Sequence, residues 1–560
     1  MNNSLRRSLR VPVFVLIPVT VLVVVAVTAF RWKDENDYYF KVNKGLETFG
    51  QVYREVTQNY VDQVDPETFI NAGIDGMLKT LDPYTSYLRR KDAADIDLLT
   101  SGTYGGIGIT VGIRDSAVTI VDVVDGYSAQ REGVRIGDKV KSINGVQLLR
   151  SPVDALREYT RGEPGTTLQM TVLRDGVADS LTFTLTRENI KVRSIPYSGR
   201  IIDGIGYIKL ERFSANAGDE LRNALLDLKQ QGAFKGVILD LRDNPGGLLE
   251  AAVDVGSKFL PYGSVIVTTR GRDSSEDHVY RSDEAPIAAG VPLVVLINGG
   301  SASASEIVAG AIQDLDAGVL LGSRSYGKGL VQSVRRLPYD ATLKITTARY
   351  YTPSGRSIQK IDYLMQRSGT SSFSADSASR YRTAAGRELS FHGGIIPDTV
   401  VDLSSATDFV DELRDASMFF NFATRYASGL RSLPDDFAVD NALIKQFEDF
   451  TLENLQHGSS GSASIGKVNE LYASAKKEGY NSDMLRKIDG LRADLSGEER
   501  NLLRDHRDEI RRELYNEIVN RFRGQHERME AMLRNDDQIQ AAVGLLRSGR
   551  REYGRLLSSR

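Results

Sequence analysis

The chain contains no cysteine. That excludes disulfide staples, a thiol nucleophile and a cysteine-built zinc site together. Histidine is scarce: His278, His392, His457, His506 and His526 are the five in 560 residues, and none stands in a local catalytic signature. A basic excess is missing too. With 71 Lys and Arg against 74 Asp and Glu, the net charge of -3 leaves no surplus of cations for phosphates and argues against a nucleic-acid partner. Complete nucleotide fingerprints are also lacking. Tyr104-Gly-Gly-Ile-Gly-Ile109 has neither the G-x-G-x-x-G spacing nor a helix behind it. Gly322 to Gly329 comes close to a P-loop, but Gly329 stands where a Ser or Thr must hold magnesium, and no helical pattern follows.

What remains is an ordinary globular composition, 41% hydrophobic and 26% charged, long enough for three or four domains. The most informative stretch runs from Gly299 to Gln332. Ser301, Ser303 and Ser305 alternate directly after the apolar run from Val291 to Asn298, the pattern of a buried strand, a tight turn and a helix start. The spacing predicts a helix from Ser303 to Ala317 with Ile307, Val308, Ala311, Ile312 and Leu315 on one side, packed on a sheet. Its first turn offers free amides and the positive end of the helix dipole. A serine held there has an oxyanion site beside it, but a hydroxyl needs a base within hydrogen-bond reach. Histidine gives no candidate, whereas lysine is a known partner of serine. Lys328 lies between Gly327 and Gly329, after a short strand at Val319 to Leu321 that should return beside the strand feeding the serines. A lysine base must be neutral, which burial without a carboxylate partner favours. Gln332, four residues on, could steer the amine through its amide oxygen.

Taken singly, a serine-rich helix start is usually only a cap and Pro-Gly-Gly only a turn. Together, S-A-S-A-S-E, G-K-G-x-V-Q and Asp240-Leu-Arg-Asp-Asn-Pro-Gly246-Gly247 resemble the C-terminal processing, or tail-specific, proteases, which are Ser/Lys-dyad endopeptidases. The resemblance implies Ser303 as nucleophile, Lys328 as base and Gln332 as its partner, 25 and 29 residues after the serine. It implies oxyanion donors from Ala304 and from Gly246 or Gly247, a choice left open at this point. Glu306 recurs in the same pattern and reads as an orienting group, with an ion-pair or capping role as the alternatives.

The rest of the chain falls into place around that core. Val11 to Phe30 is an uncharged run of 20 residues, enough to cross a bilayer, with Arg6, Arg7 and Arg10 before it. We therefore expect residues 1–33 to be a cytoplasmic stub and single-pass anchor in a bacterial inner membrane, with the catalytic part on the periplasmic or extracytoplasmic side. Val27-Thr28-Ala29 is the alternative, a signal cleavage site. Residues 34–94 read as an N-terminal helical segment, with Phe49, Val52, Val56 and Tyr60 on one face, then Ile70, Ile74, Met77 and Leu81, ending at Asp82-Pro83. Residues 95–187 resemble a mainly β PDZ domain inserted before the core. By that resemblance Gly106, Ile107, Gly108 and Ile109 hold the substrate's C-terminal carboxylate and an apolar pocket takes its last side chain.

Residues 188–404 alternate strands and helices as a layered α/β protease core should. Ser368 to Arg380 reads as a surface loop. Residues 405–560 form a helical C-terminal extension, in which Ser496-x-x-Glu499 reads as a capping box opening a long helix with Leu503, Ile510, Leu514, Ile518 and Phe522 along one face. Its paired charges suggest a solvated face, or else a homo-oligomer or adaptor surface. No metal or cofactor is called for. The expected activity is an exported, membrane-anchored endopeptidase acting on proteins with exposed C-terminal tails. The alternative is a non-catalytic PDZ scaffold that only binds such tails.

Overall fold

A computed structural model describes residues 37–88, 102–202, 204–339, 341–361, 363, 381–389, 393–401, 408–457, 463–534, 536–549 and 551–558. The expected anchor at Val11 to Phe30 and the loop at Ser368 to Arg380 lie outside them. No helix among the described residues is long and apolar enough to cross a membrane. The chain divides into two units, residues 1–87 and 88–560.

In the first unit a helix over residues 37–59 is followed by Pro66–Leu78. Asp65 caps the second by accepting the Thr68 amide at 2.8 Å, and Pro66 supplies the fixed φ that suits a first helical turn. Tyr53 stacks on Phe69 with ring centroids 5.8 Å apart. The expected Asp-Pro boundary is an Asx turn, in which Asp82 accepts the amides of Tyr84 and Thr85 at 2.8 Å.

The core of the second unit is a six-stranded sheet in the order Tyr197–Ile202, Ile205–Lys209, Gly236–Asp240, Leu293–Ile297, Val319–Gly322, Thr399–Val400. The first strand runs antiparallel along one edge and the other five are parallel. Parallel strands are buried on both faces, so they read as unbroken apolar runs, and side chains still alternate between the faces. Val237, Leu239, Val295, Ile297 and Leu320 meet the helices Ala217–Gln230, Leu249–Ser257 and Ala304–Asp314 on one side. Ile238, Val294, Leu296, Val319 and Leu321 face the other side, where Ile539, Ala542, Val543 and Leu546 of helix Asp537–Arg547 cover them. The helix Ala304–Asp314 corrects the expectation of a one-sided stripe: it ends three residues early and all of its residues are buried. A second, antiparallel sheet combines Val265–Gly271, His278–Arg281, Leu330–Arg336 and Thr342–Tyr351.

The PDZ-like region forms its own sheet between Ile109 and Thr186, closed by a strand pair in which Thr103–Gly106 binds Glu188–Lys191. Its closing strand therefore reaches a few residues past the expected boundary at 187. Leu168, Met170, Val172 and Leu185 of the expected hairpin are buried, with Leu156 of helix Val153–Thr160 packed among them.

The C-terminal helices differ from expectation in two ways. The long helix spans Ser482–Asp505 and is capped by Asn481, which accepts the Met484 amide at 2.9 Å, so Ser496 is a mid-helix residue rather than a cap. A new helix, Arg507–Val519, follows His506. Leu503, Ile510, Leu514 and Ile518 gather as expected, in the core of a helical subdomain with Phe419, Phe422 and Phe447 and with Phe522 packed against it, while charge pairs such as Lys487–Asp483 stay exposed. That subdomain touches the PDZ region, where Asn421 donates to Asp115 at 3.1 Å and Arg114 stacks over the Phe420 ring at 5.3 Å. Its last helices cover the protease sheet.

Ile539 is 1% exposed at the centre of that cover. Ile539→Ala should cost about 2–5 kcal/mol, the range for emptying a buried aliphatic site. A thermal melt reads this as a drop of several degrees; an unchanged midpoint would mean that the helix is not part of the folded core.

Candidate active site

Two strand ends build the site. Leu293–Ile297 runs out through Asn298 to Ser301 and into the helix Ala304–Asp314, while Gly236–Asp240 runs into the turn Leu241 to Gly247 and the helix Leu249–Ser257. The two turns are sewn together. Ser301 Oγ donates to the Leu241 carbonyl at 2.8 Å, the Ala302 amide to Asn244 O at 3.0 Å, and Ser305 Oγ to Asn244 O at 2.9 Å. Ser301 and Ser305 are fully buried and spent on these bonds, whereas Ser303 is half-buried.

Ser303 is also held in an unusual backbone conformation, φ 56° and ψ −114°. An L-residue is strained there by about 1–3 kcal/mol, and such strain persists only where surrounding contacts impose it. Sequence patterning carries no signal for this. One contact that holds the Ser303 backbone comes from the side chain of Glu306, which is fully buried. One carboxylate oxygen accepts the Ser303 and Lys328 amides at 2.9 Å each, and the other accepts the Gly327 amide at 2.7 Å and Ser325 Oγ at 2.5 Å. Of the three roles open to Glu306, the structure shows capping and orienting, both through backbone. Burial pushes its pKa up to about 7, with the four donors offsetting part of that rise.

Every amide and carbonyl of Gly327, Lys328 and Gly329 is engaged. Besides the bonds to Glu306, Gly329 N donates to Gln359 Oε1 at 2.7 Å, Gly327 O accepts Lys360 N at 3.0 Å, Gly329 O accepts Tyr350 N at 3.1 Å, and the Tyr350 hydroxyl donates to Lys328 O. Neighbouring segments close tightly on both glycines. A Cβ at Gly327 would lie 2.6 Å from Lys360 Cβ, and one at Gly329 would lie 2.7 Å from Gln359 N. Gln332 follows on strand Leu330–Arg336, where its amide nitrogen makes long contacts to Leu330 O and Thr346 Oγ1 at 3.3 and 3.4 Å.

The glycine turn lies directly against the serine. A Cβ on Gly246 would be 2.9 Å from both Ala304 N and Ser303 Cβ, and its φ of +100° suits glycine. The choice between Gly246 and Gly247 can now be made on hydrogen bonding. Gly246 N already donates to Asn244 Oδ1 at 2.9 Å. The amides of Gly247 and Ala304 have no protein acceptor among the described residues. Asn244 is the residue that sequence reasoning passed over: fully buried, it ties the turn together through Leu210, Gly246, Ala302 and Ser305.

Gly106, Ile107, Gly108 and Ile109 sit apart from these groups, together on one groove of about 920 Å³. The carbonyls of Ile107 and Gly108 are held by the amides of Ala129 and Val124. The groove reaches the core at Glu211 and Arg212, next to Phe213, whose backbone bonds on both sides of Gly247.

Family models match as Peptidase family S41 over residues 204–364, PDZ domain over 105–185, Activating protease CtpB N-terminal domain over 26–92, and Probable PDZ-protease, C-terminal helical domain over 409–546. The carboxy-terminal-processing protease of Bartonella bacilliformis is 38% identical over 61% of this chain and 77% of its own length. The chain belongs to the carboxy-terminal-processing proteases. A Synechocystis carboxyl-terminal-processing protease is also 38% identical, over 51% of this chain and 68% of its own. The solved photosystem II D1 C-terminal processing protease is 26% identical across 63% of this chain and 92% of its own, with a TM-score of 0.35. As a carboxy-terminal-processing protease, the chain is a serine-type peptidase with a PDZ domain.

Two outcomes follow from the strained serine and the buried carboxylate. Ser303→Gly should be more stable than Ser303→Ala by about 1 kcal/mol, because glycine tolerates the observed φ; equal melting temperatures would contradict the strain. A carboxyl whose pKa rises from 4.5 to about 7 on folding binds more protons folded than unfolded between those values. Its contribution therefore declines as pH rises through that window, by up to about 3 kcal/mol, and is flat above it. The melting temperature of the parent minus that of Glu306→Gln should fall from pH 4.5 to 7 and then level off; a difference that rises with pH would refute this.

Proposed function

We propose that this carboxy-terminal-processing protease is an exported, membrane-anchored endopeptidase that works through a Ser303/Lys328 dyad. Ser303 Oγ attacks the scissile carbonyl, and Lys328 takes the hydroxyl proton and then passes it to the leaving amine. The amides of Ala304 and Gly247 receive the oxyanion, with Gly246 shaping the turn. Gln332 holds the lysine amine, and water frees the new terminus from the acyl-enzyme. The observation that carries this reading is the single buried carboxylate of Glu306 bonded to the backbones of both Ser303 and Lys328 at 2.9 Å.

The groove at Gly106 to Ile109 takes the C-terminal tail of a protein or peptide by adding it to the sheet edge. Its lining by Glu211 and Arg212, the residues that precede Phe213, supports delivery of the tail toward the dyad. The anchor is supported by the apolar run Val11 to Phe30 behind three arginines, which favours a cytoplasmic N-terminus and a catalytic part on the extracytoplasmic side of a bacterial inner membrane.

One experiment addresses both halves of the proposal. Protein beginning at Trp32 should stay soluble and degrade a reporter carrying an apolar C-terminal tail, while Ser303→Ala and Lys328→Ala versions fold and do not; the full chain should sediment with membranes. Cleavage by either variant would remove the dyad, and a full chain that stays in the soluble fraction would remove the anchor.

A further inference from the structure

The helix that covers the far side of the protease sheet also reaches the active-site turn, and it does so through charge rather than through apolar contact. Asp240 closes the strand Gly236–Asp240 on the face covered by the C-terminal helices, where the Tyr207 hydroxyl donates to it at 2.7 Å. Arg242, two residues on and 8% exposed, grips Asp240 with Nη2 at 2.6 Å and Nε at 3.0 Å. Its remaining arm points into the helical domain, with Nη1 reaching Asp536 Oδ2 at 2.8 Å and Gln538 Oε1 at 3.0 Å. Asp536 has a second task. Its other oxygen caps the helix Asp537–Arg547 by accepting the amides of Gln538 and Ile539 at 2.9 and 3.0 Å. Gln538, 1% exposed, anchors itself by donating to Val401 O at 2.6 Å.

The chain passes from Arg242 straight into the turn beside Ser303. The Arg242 carbonyl accepts Lys209 Nζ at 2.6 Å, Asp243 adopts a φ of +60°, and its amide donates to Asn298 Oδ1 at 2.9 Å. Asn244 then binds Ala302 and Ser305, and Gly247 presents its amide. Docking of the helix itself is accounted for by the apolar cluster of Ile539, Ala542, Val543 and Leu546. A buried ion pair adds little net stability, because desolvation cancels most of its attraction, but it does fix geometry.

We propose that Arg242, Asp536 and Gln538 are positioning residues, through which the C-terminal helical domain holds the Leu241 to Gly247 turn in its working geometry. The assignment rests on the Ser303/Lys328 reading above. It makes the helical domain part of the catalytic apparatus, acting on turnover and not on tail capture.

Activity should follow the charge at position 536, while stability follows the cap. Asp536→Asn keeps a capping oxygen and removes the charge, so kcat on a short untailed peptide should fall five- to tenfold with KM and tail-peptide affinity nearly unchanged; because Asp240 still pairs Arg242, its melting temperature should fall no further than that of Asp536→Glu. Asp536→Glu keeps the charge and loses the cap, so it should melt lower and retain kcat within about twofold. Adding Gln538→Met to Asp536→Asn should deepen the kcat loss. The proposal is overturned if Asp536→Asn keeps parental kcat, if kcat tracks melting temperature across the set, or if the loss appears in KM or tail affinity instead. Ser303→Ala in the same assay separates the two levels, since residual cleavage there refutes the dyad and not the contact between domains.

Discussion

The buried carboxylate of Glu306 is the constraint on which the site depends. Four donors converge on its two oxygens, two of them the amides of Ser303 and Lys328, so one rigid group sets the spacing of segments 22 to 25 residues apart in sequence. The carboxylate meets the lysine through backbone, from the Glu306 Oε2 side at 2.9 Å. Donors already fill its oxygens, and that leaves the serine held in a conformation it would not adopt alone. The same carboxylate thus holds both the Ser303 backbone and the amides of Gly327 and Lys328.

Much of this was legible in the chain itself. Buried parallel strands announce themselves as unbroken apolar runs, so the strand ending at Ile297 and the helix after it stand where Val291 to Asn298 placed them. The glycines around Lys328 stand where neighbouring segments approach too closely for a Cβ. Less legible was anything decided by partners distant in sequence. Ser496 to Glu499 has the residues of a capping box, yet helical pairing begins at Ser482 because Asn481 caps earlier and the chain between is helix-compatible. The helix Ala304–Asp314 looked amphipathic but lies in a fully enclosed position, since Thr352 and Ile395 close against it at Gly310. Which glycine amide is free could not be read from Pro-Gly-Gly; it depends on where the Asn244 side chain turns.

The protease sheet also needs two coats, and the sequence near it supplies only one. Helices between the strands cover one face, while the other would expose Ile238, Val294 and Leu296 without the residues from Leu533 to Leu557. The helical extension, whose pattern shows a charged face but not which surface its apolar residues cover, is therefore integral to the core. Through Phe420 and Asn421 the same extension meets the PDZ region, so it links the tail-binding and catalytic parts of one unit.

The most direct test of the account is covalent trapping with a serine-reactive phosphonyl fluoride, followed by mass spectrometric location of the adduct. The account predicts modification of Ser303 alone, and none when Lys328 is replaced by alanine in protein that still melts cooperatively. An adduct on Ser301 or Ser305, or equal labelling of Ser303 without Lys328, would contradict it.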